Sequence, residues 1–223
     1  MSATFSVDNF HLICDELAAK DADLKSIIDK FGYPPMWTRT NSFETLVHII
    51  LEQQVSLASA LAALNKLREK IGSVTPENLL QLTDEELKAC YFSRQKTVYS
   101  RGLAQAIQKG VLDLAALEHL SDTQVRTKLV ALKGFGNWTA DVYLMFVLRR
   151  TDTFPAGDLA AVNALKQVKK LPGAATVSSL LVIADGWQPY RTIATMMLWH
   201  YYLSVRAKDT STKTSKIKKA ILL

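Results

Sequence analysis

Between Asp8 and Arg206 almost every stretch of this 223-residue chain repeats its apolar residues at the spacing of a helix face, and no stretch alternates as a half-buried strand does. Residues 8–20 start at an aspartate and align Phe10, Ile13 and Leu17. Residues 23–30 give a second short helix, after which Gly32, Pro34 and Pro35 break the chain into a loop that ends near Arg39. Ser42 and Ser56 are placed to cap helices over 42–53 and 57–70. The first of these carries Phe43, Leu46, Val47 and Ile50 as its buried stripe. Helices follow at 76–80, 84–90 and 95–109, with one turn at 114–118. Another begins at Ser121–Asp122, an amphipathic run extends from Asn137 to about Arg149, and the last three fall near 158–169, 176–184 and 189–206. The pattern predicts an all-α protein.

No apolar run is long enough to span a bilayer, and MSATFSVDNF lacks the layout of a secretion signal. Cys14 and Cys90 are far apart, with no metal-ligand spacing around them, so a reduced intracellular setting is expected. The net charge of +6 is concentrated at one end. Residues 205–223 hold six basic residues against Asp209, a net +5, which leaves +1 for the body of the chain. The tail reads as a solvated, partly disordered end or as an extra contact to nucleic acid.

The stretch with the most chemical content is 129–158. Gly134 and Gly136 flank Phe135 between two helical runs. Glycine reaches conformations that bare the backbone amides, and amides beside a helix start form a concavity for an anion such as phosphate. Asp158 then opens the next helix, where it reads as an N-cap or as an acid acting on whatever carries that phosphate. Trp138 and Trp199 read as core side chains or as walls for a planar base. Gln54 sits where a helix–helix junction interrupts an apolar stripe, either as a polar helix end or as a side chain pushed into a gap in a base stack. His11, His48, His119 and His200 have no ligand spacing and read as ordinary core or surface residues.

LKGFGNWTA (132–140), followed by FPAGDLA (154–160), resembles the helix-hairpin-helix DNA glycosylase superfamily, and within it the 3-methyladenine DNA glycosylase II type. ILEQQVS (50–56) resembles the family's wedge segment, YFSRQK (91–96) its G-L/F-S-x-x-K segment, and WQPYR (187–191) with LWHYY (198–202) its W-x-P-W/Y-R…W segment. The likeness covers roughly residues 38–205. It implies two helical lobes with an active-site cleft between them. One lobe would be residues 36–145, carrying wedge and hairpin; the other would join the N-terminal helices, 1–35, to 146–223.

The resemblance also implies roles. Asp158 matches the catalytic aspartate, Trp138 and Trp199 the walls of the base pocket, and Gln54 the residue that fills the hole left by a flipped nucleotide. Lys133, Gly134, Phe135, Gly136, Asn137, Trp138 and Thr139 would form the DNA-gripping hairpin. The main-chain carbonyls of Val130, Leu132 and Phe135 match those that hold a monovalent cation, Na+ or K+, and no cofactor is required for the chemistry. The implied substrate is double-stranded DNA with alkylated bases, acted on by a monomer that needs no membrane. Lyase members carry a lysine two residues past the second hairpin glycine; that place is Trp138, so a monofunctional enzyme is expected. The rival readings are a glycosylase for oxidised, deaminated or mismatched bases and a non-catalytic helix-hairpin-helix DNA-binding module.

The chain departs from the family at four places. Tyr91 replaces a glycine, Ala156–Gly157 precede Asp158 in place of Gly-Pro or Pro-Asp, and Val142 stands where the bacterial type member has a pocket tyrosine. Only about 35 residues precede the matching region, so the compact form without an N-terminal β domain is expected.

Overall fold

The computed structural model describes residues 3–221, with side chains in the last helix as far as Ala207. Among the described residues there is no strand, only an isolated antiparallel bridge between Thr4 and Arg150. The fold is all-α. The chain divides into two compact units, one spanning Thr38–Arg149, the other joining Ala3–Trp37 to the segment from Arg150 onward.

The second unit opens with α1 (Val7–Lys20) and α2 (Ala22–Phe31). Phe10, Ile13, Cys14 and Leu17 of α1 and Leu24 and Ile27 of α2 are buried, on the helical spacing read from the sequence.

The first unit begins with α3 (Phe43–Glu52) and α4 (Leu57–Ile71). The short α5 (Pro76–Gln81) and α6 (Asp84–Ala89) lead to α7 (Arg94–Gln108). A single turn, α8 (Leu114–Leu117), precedes α9 (Asp122–Val130) and α10 (Asn137–Val142). Ser42, Ser56, Thr75, Thr83, Ser93 and Ser121 each accept a first-turn amide, so six of these helices start where a hydroxyl satisfies an otherwise orphaned donor. α3 is the centre of the unit. Ile49 and Leu51 are buried as well as the expected Leu46, Val47 and Ile50, so the helix is enclosed on nearly all sides. Its one buried charge, Glu52, takes two hydrogen bonds from Arg39, at 2.9 and 2.7 Å.

The run expected to form one helix from Asn137 to Arg149 changes pitch. α10 gives way to a π-helical turn over Tyr143–Val147, closed by the Leu148 amide on the Tyr143 carbonyl at 3.1 Å. Tyr143, Leu144, Met145 and Val147 are all buried, and the wider turn lets one extra residue face the core. This also moves the lobe boundary expected after residue 145. Val147 and Leu148 belong to the first core, and the Arg39 amide donates to the Phe146 carbonyl at 2.8 Å, so the boundary falls after Arg149.

The second unit is completed by α11 (Leu159–Val168), α12 (Val177–Asp185) and α13 (Arg191–Ile221). α13 packs on α1, α2 and α11 through buried Ile193, Ala194, Met196, Met197 and Leu198. A polar clasp closes the unit. Asp21 caps α2 and receives Lys169 Nζ at 2.7 Å and Trp187 Nε1 at 2.8 Å, while Lys169 also reaches Asp23 at 2.9 Å. Burial pushes the Asp21 carboxyl up, but the bonds from Lys169 and Trp187 outweigh it and hold the group below the ordinary range. The lysine-rich tail, read as a disordered end or a DNA contact, lies outside the described side chains.

Candidate active site

Two helix starts, one in each unit, carry the residues singled out from the sequence. The first is the hairpin from α9 to α10. α9 ends at Ala131, and the Phe135 amide donates to the Leu132 carbonyl at 3.1 Å to close the turn. Gly134 lies at φ +91, and a Cβ placed on it would sit 2.2 Å from the Tyr99 ring. Only glycine meets both conditions. Gly136 differs. Its φ is −104, which any residue adopts, and a Cβ there would meet nothing within 4 Å. It is the N-cap of α10, is exposed, and supplies no side-chain cap to that helix.

The hairpin is fixed from behind by residues that sequence patterns did not single out. Gln53 Nε2 donates to the Gly134 carbonyl at 2.9 Å and to Thr139 Oγ1 at 3.2 Å. Arg126 bridges the two hairpin helices through Asp141 at 2.6 Å, with longer bonds to Asn137 at 3.4 Å. Burial raises the Asp141 carboxyl, and Arg126 works against that shift. These contacts fix the side chains of two residues of the expected DNA-gripping set. Phe135, 4% exposed, and Thr139, 2% exposed, point into their own unit, because ring and hydroxyl hold the turn down on the core. Lys133, Gly136 and Asn137 remain at the surface, and Trp138 is half-buried against the core of the first unit.

Gln54 follows directly on Gln53, at the α3–α4 junction. It is exposed and sits at φ +58, a left-handed conformation that costs a non-glycine residue about 1–2 kcal/mol. Lys96 caps the end of α3 by donating to the Leu51 carbonyl at 2.6 Å, and burial pulls its ammonium down. The junction is thus held on both sides while its tip carries the strained residue.

The second helix start is Asp158, half-buried at the N-cap of α11. Its amide donates to the Pro155 carbonyl at 2.8 Å, forming the tight approach to the helix. Its Oδ1 accepts from the Ala161 amide at 2.8 Å and from Trp199 Nε1 at 3.0 Å. Both readings of Asp158 therefore meet in one residue: it caps a helix, and an aromatic side chain 41 positions away is fastened to it. The histidines form no such site. His11 stacks on Tyr33, His200 Nε2 lies 3.0 Å from the Phe31 carbonyl, and among the described residues no cluster of His, Cys, Asp and Glu could hold a metal ion. Cys14 and Cys90 are buried free thiols, and burial pushes Cys14 up to about 12.

Residues 47–187, which include the wedge junction, the hairpin and Asp158, match the family of HhH-GPD superfamily base excision DNA repair proteins. The chain belongs to the HhH-GPD superfamily. Trp199 lies beyond the matched segment and is joined to it by its bond to Asp158. The chain is 27% identical over 184 residues to YfjP of Bacillus subtilis, provisionally named a DNA-3-methyladenine glycosylase, and that match takes in 79% of this chain and 64% of the relative. Among solved structures, the DNA-3-methyladenine glycosidase of Bacillus halodurans is 32% identical with a TM-score of 0.74, covering 90% of this chain and 92% of the other. The 3-methyladenine DNA glycosylase of Schizosaccharomyces pombe, in complex with abasic DNA, is 27% identical with a TM-score of 0.74, covering 84% and 94%.

Within this HhH-GPD chain the departure at Tyr91 has a visible consequence. Tyr91, where the family segment has glycine, sits at φ +65 and is 63% exposed just past the end of α6. The Phe92 amide still closes on the Leu87 carbonyl at 3.1 Å, so the turn survives with a side chain in a strained conformation. Val142 is buried in the first core.

Proposed function

We propose that this chain is a monofunctional DNA glycosylase that hydrolyses the N-glycosidic bond of alkylated purines, 3-methyladenine and 7-methylguanine, in duplex DNA during base excision repair inside the cell. The observation that carries this reading is the Asp158 carboxylate, held at a helix start and bonded to the Trp199 indole. A base inside a duplex must leave the stack before its glycosidic bond is reachable. Gln54, exposed at the tip of the wedge junction, is the side chain suited to fill the vacated place. The α10 start, which has no side-chain cap, together with the exposed Lys133, suits a backbone phosphate.

Methylation at N3 of adenine or N7 of guanine leaves the base cationic, so it departs as a neutral molecule without a general acid. Positive charge then develops on the deoxyribose. Asp158 is the group that stabilises that charge and orients the attacking water. Trp138 and Trp199 each offer a ring on which a cationic base can stack, worth roughly 1–3 kcal/mol per base before any cation–π term. A Na+ or K+ at the hairpin would be held by the carbonyls of Val130, Leu132 and Phe135. These are hard, neutral oxygens, and the Leu132 carbonyl, which already accepts the Phe135 amide, has a second lone pair. The ion would strengthen the field on the phosphate. The protein acts as a monomer.

The test is excision from a duplex treated with a methylating agent. Free 3-methyladenine should appear, with an intact strand that breaks only after alkali or heat. A strand nicked during base release, or a borohydride-trapped covalent complex, would show a lyase and contradict the assignment of Trp138 to the lysine position.

A further inference from the structure

α11 and α13 carry more than Asp158 and Trp199. Further along the same two helices, their side chains line an open cleft of about 660 Å³. Asn163, Lys166, Gln167 and Lys170 come from α11 and its end, Tyr202 and Arg206 from α13. Three of these six are cationic, and among the described residues none that lines the cleft is acidic. The neighbouring Lys169, by contrast, is bonded to the carboxylates of Asp21 and Asp23.

The cations are pre-positioned. Lys166 Nζ donates to the Gly173 carbonyl at 3.0 Å. The Arg206 guanidinium lies over the Tyr202 ring, 4.9 Å from its centroid, and donates to the Tyr202 hydroxyl. Lys170 occupies φ +52 directly past the helix end, where the Leu171 amide closes on the Lys166 carbonyl at 2.8 Å. Glycine is the relaxed choice at such a place, and a lysine there costs about 1–2 kcal/mol. A fixed guanidinium, two ammonium groups and two side-chain amides form a donor set matched to phosphate oxygens.

The spacing is commensurate with a strand at duplex rise. Lys166 lies eight residues along α11 from Asp158, about 12 Å at a rise of ~1.5 Å per residue. Arg206 lies seven residues along α13 from Trp199, about 10 Å on the same rise. These lengths correspond to roughly three nucleotides at ~3.4 Å of axial rise per nucleotide.

We infer that the cleft between α11 and α13 is a second phosphate site, which binds the DNA backbone about three nucleotides from the base being excised. It rests on the glycosylase reading for the identity of its ligand. The site gives the second unit its own grip on DNA, separate from the hairpin of the first.

The experiment compares wild type with Lys170→Gln/Arg206→Gln, leaving the anchored Lys166 in place. Binding to an undamaged duplex is measured by fluorescence anisotropy across a NaCl series. Loss of one phosphate contact flattens the slope of log K against log[salt] by about 0.9, so the double variant should be flatter by about that amount. The control Lys30→Gln/Lys109→Gln removes the same charge from exposed positions elsewhere and should leave the slope unchanged. An unaltered slope in the cleft variant, or an equal change in the control, overturns the site. If the double variant fails to fold by circular dichroism, Lys170→Gln and Arg206→Gln are measured singly: at least one must flatten the slope, and a wild-type slope in both overturns the site. Excision by Asp158→Asn is measured in parallel. A flattened slope with excision intact in that variant upholds the phosphate site and rejects the role of Asp158. An unchanged slope with excision abolished does the reverse.

Discussion

Two helix starts in this chain are built from opposite chemistry. α10 begins at Gly136, which offers no side-chain cap. α11 begins at Asp158, whose carboxylate caps its own helix and takes a second bond from Trp199. A bare start attracts an anion; a start already holding a carboxylate repels one and presents negative charge instead. On the proposed reading, one local motif serves as a DNA grip in one unit and as the reactive group in the other, and the N-cap residue decides which.

The same contrast separates the two hairpin glycines. Gly134 is demanded by the fold, through its positive φ and the Tyr99 ring beneath it. Gly136 is demanded by nothing inside the chain. Gly134→Ala should lower stability by roughly 2–5 kcal/mol, combining the left-handed backbone with overpacking, as read from denaturant melts. Gly136→Asp should do the converse. It places an acceptable N-cap on α10, so stability changes by only a few tenths of a kcal/mol. DNA affinity should fall by about tenfold, ~1.4 kcal/mol, because the new carboxylate faces the phosphate. If Gly136→Asp binds DNA as wild type does, the α10 start is no grip and the comparison fails.

The clasp that holds α11 in its unit gives a pH test. The Asp21 carboxyl is depressed, so its contribution is present above the unfolded value of about 3.9 and is lost as pH falls through the folded one. Lys169 is raised: burial pulls it down, but the bonds from Asp21 and Asp23 outweigh that. Its contribution is present below about pH 10.4 and is lost as pH rises through the folded value. Lys169→Met should therefore cost about 1–3 kcal/mol at pH 7, less than breaking a fully buried pair. The gap from wild type should be smaller in acid than at pH 7, closing as pH falls through the depressed folded value of Asp21, below the ordinary carboxylate range. A gap of equal size in acid and at pH 7 would remove the ion pair from the account. The smallest effect is expected at Tyr91→Gly, which relieves the φ of +65 and should raise stability by about 0.5–1 kcal/mol.

Much of this was legible in the sequence because it is local. Ser42, Ser56, Thr83 and Ser121 announce their helices within four residues. The Gly134–Phe135–Gly136 turn and the Asp158 cap are likewise short-range patterns. What stayed hidden depends on distant partners. Trp199 and Asp158 meet across 41 residues, Gln53 reaches Gly134 across 81, and the ring that makes Gly134 obligatory belongs to Tyr99. The Asn137–Arg149 run reads as one amphipathic helix, but Thr139–Met145 are buried without a break and the run divides into an α and a π segment, which apolar spacing does not signal. For Phe135 and Thr139 the motif implies a place at the DNA but not the burial of both side chains beneath the turn.

The central claim concerns Asp158, and its most direct test is the maximal single-turnover rate of 3-methyladenine release by Asp158→Asn at saturating DNA. Asparagine caps helices as well as aspartate does, so melting and DNA affinity should match wild type. The rate should drop by at least about 10²–10³-fold, as the charge facing the deoxyribose is removed. A wild-type rate from a normally folded Asp158→Asn protein would reduce Asp158 to a helix cap.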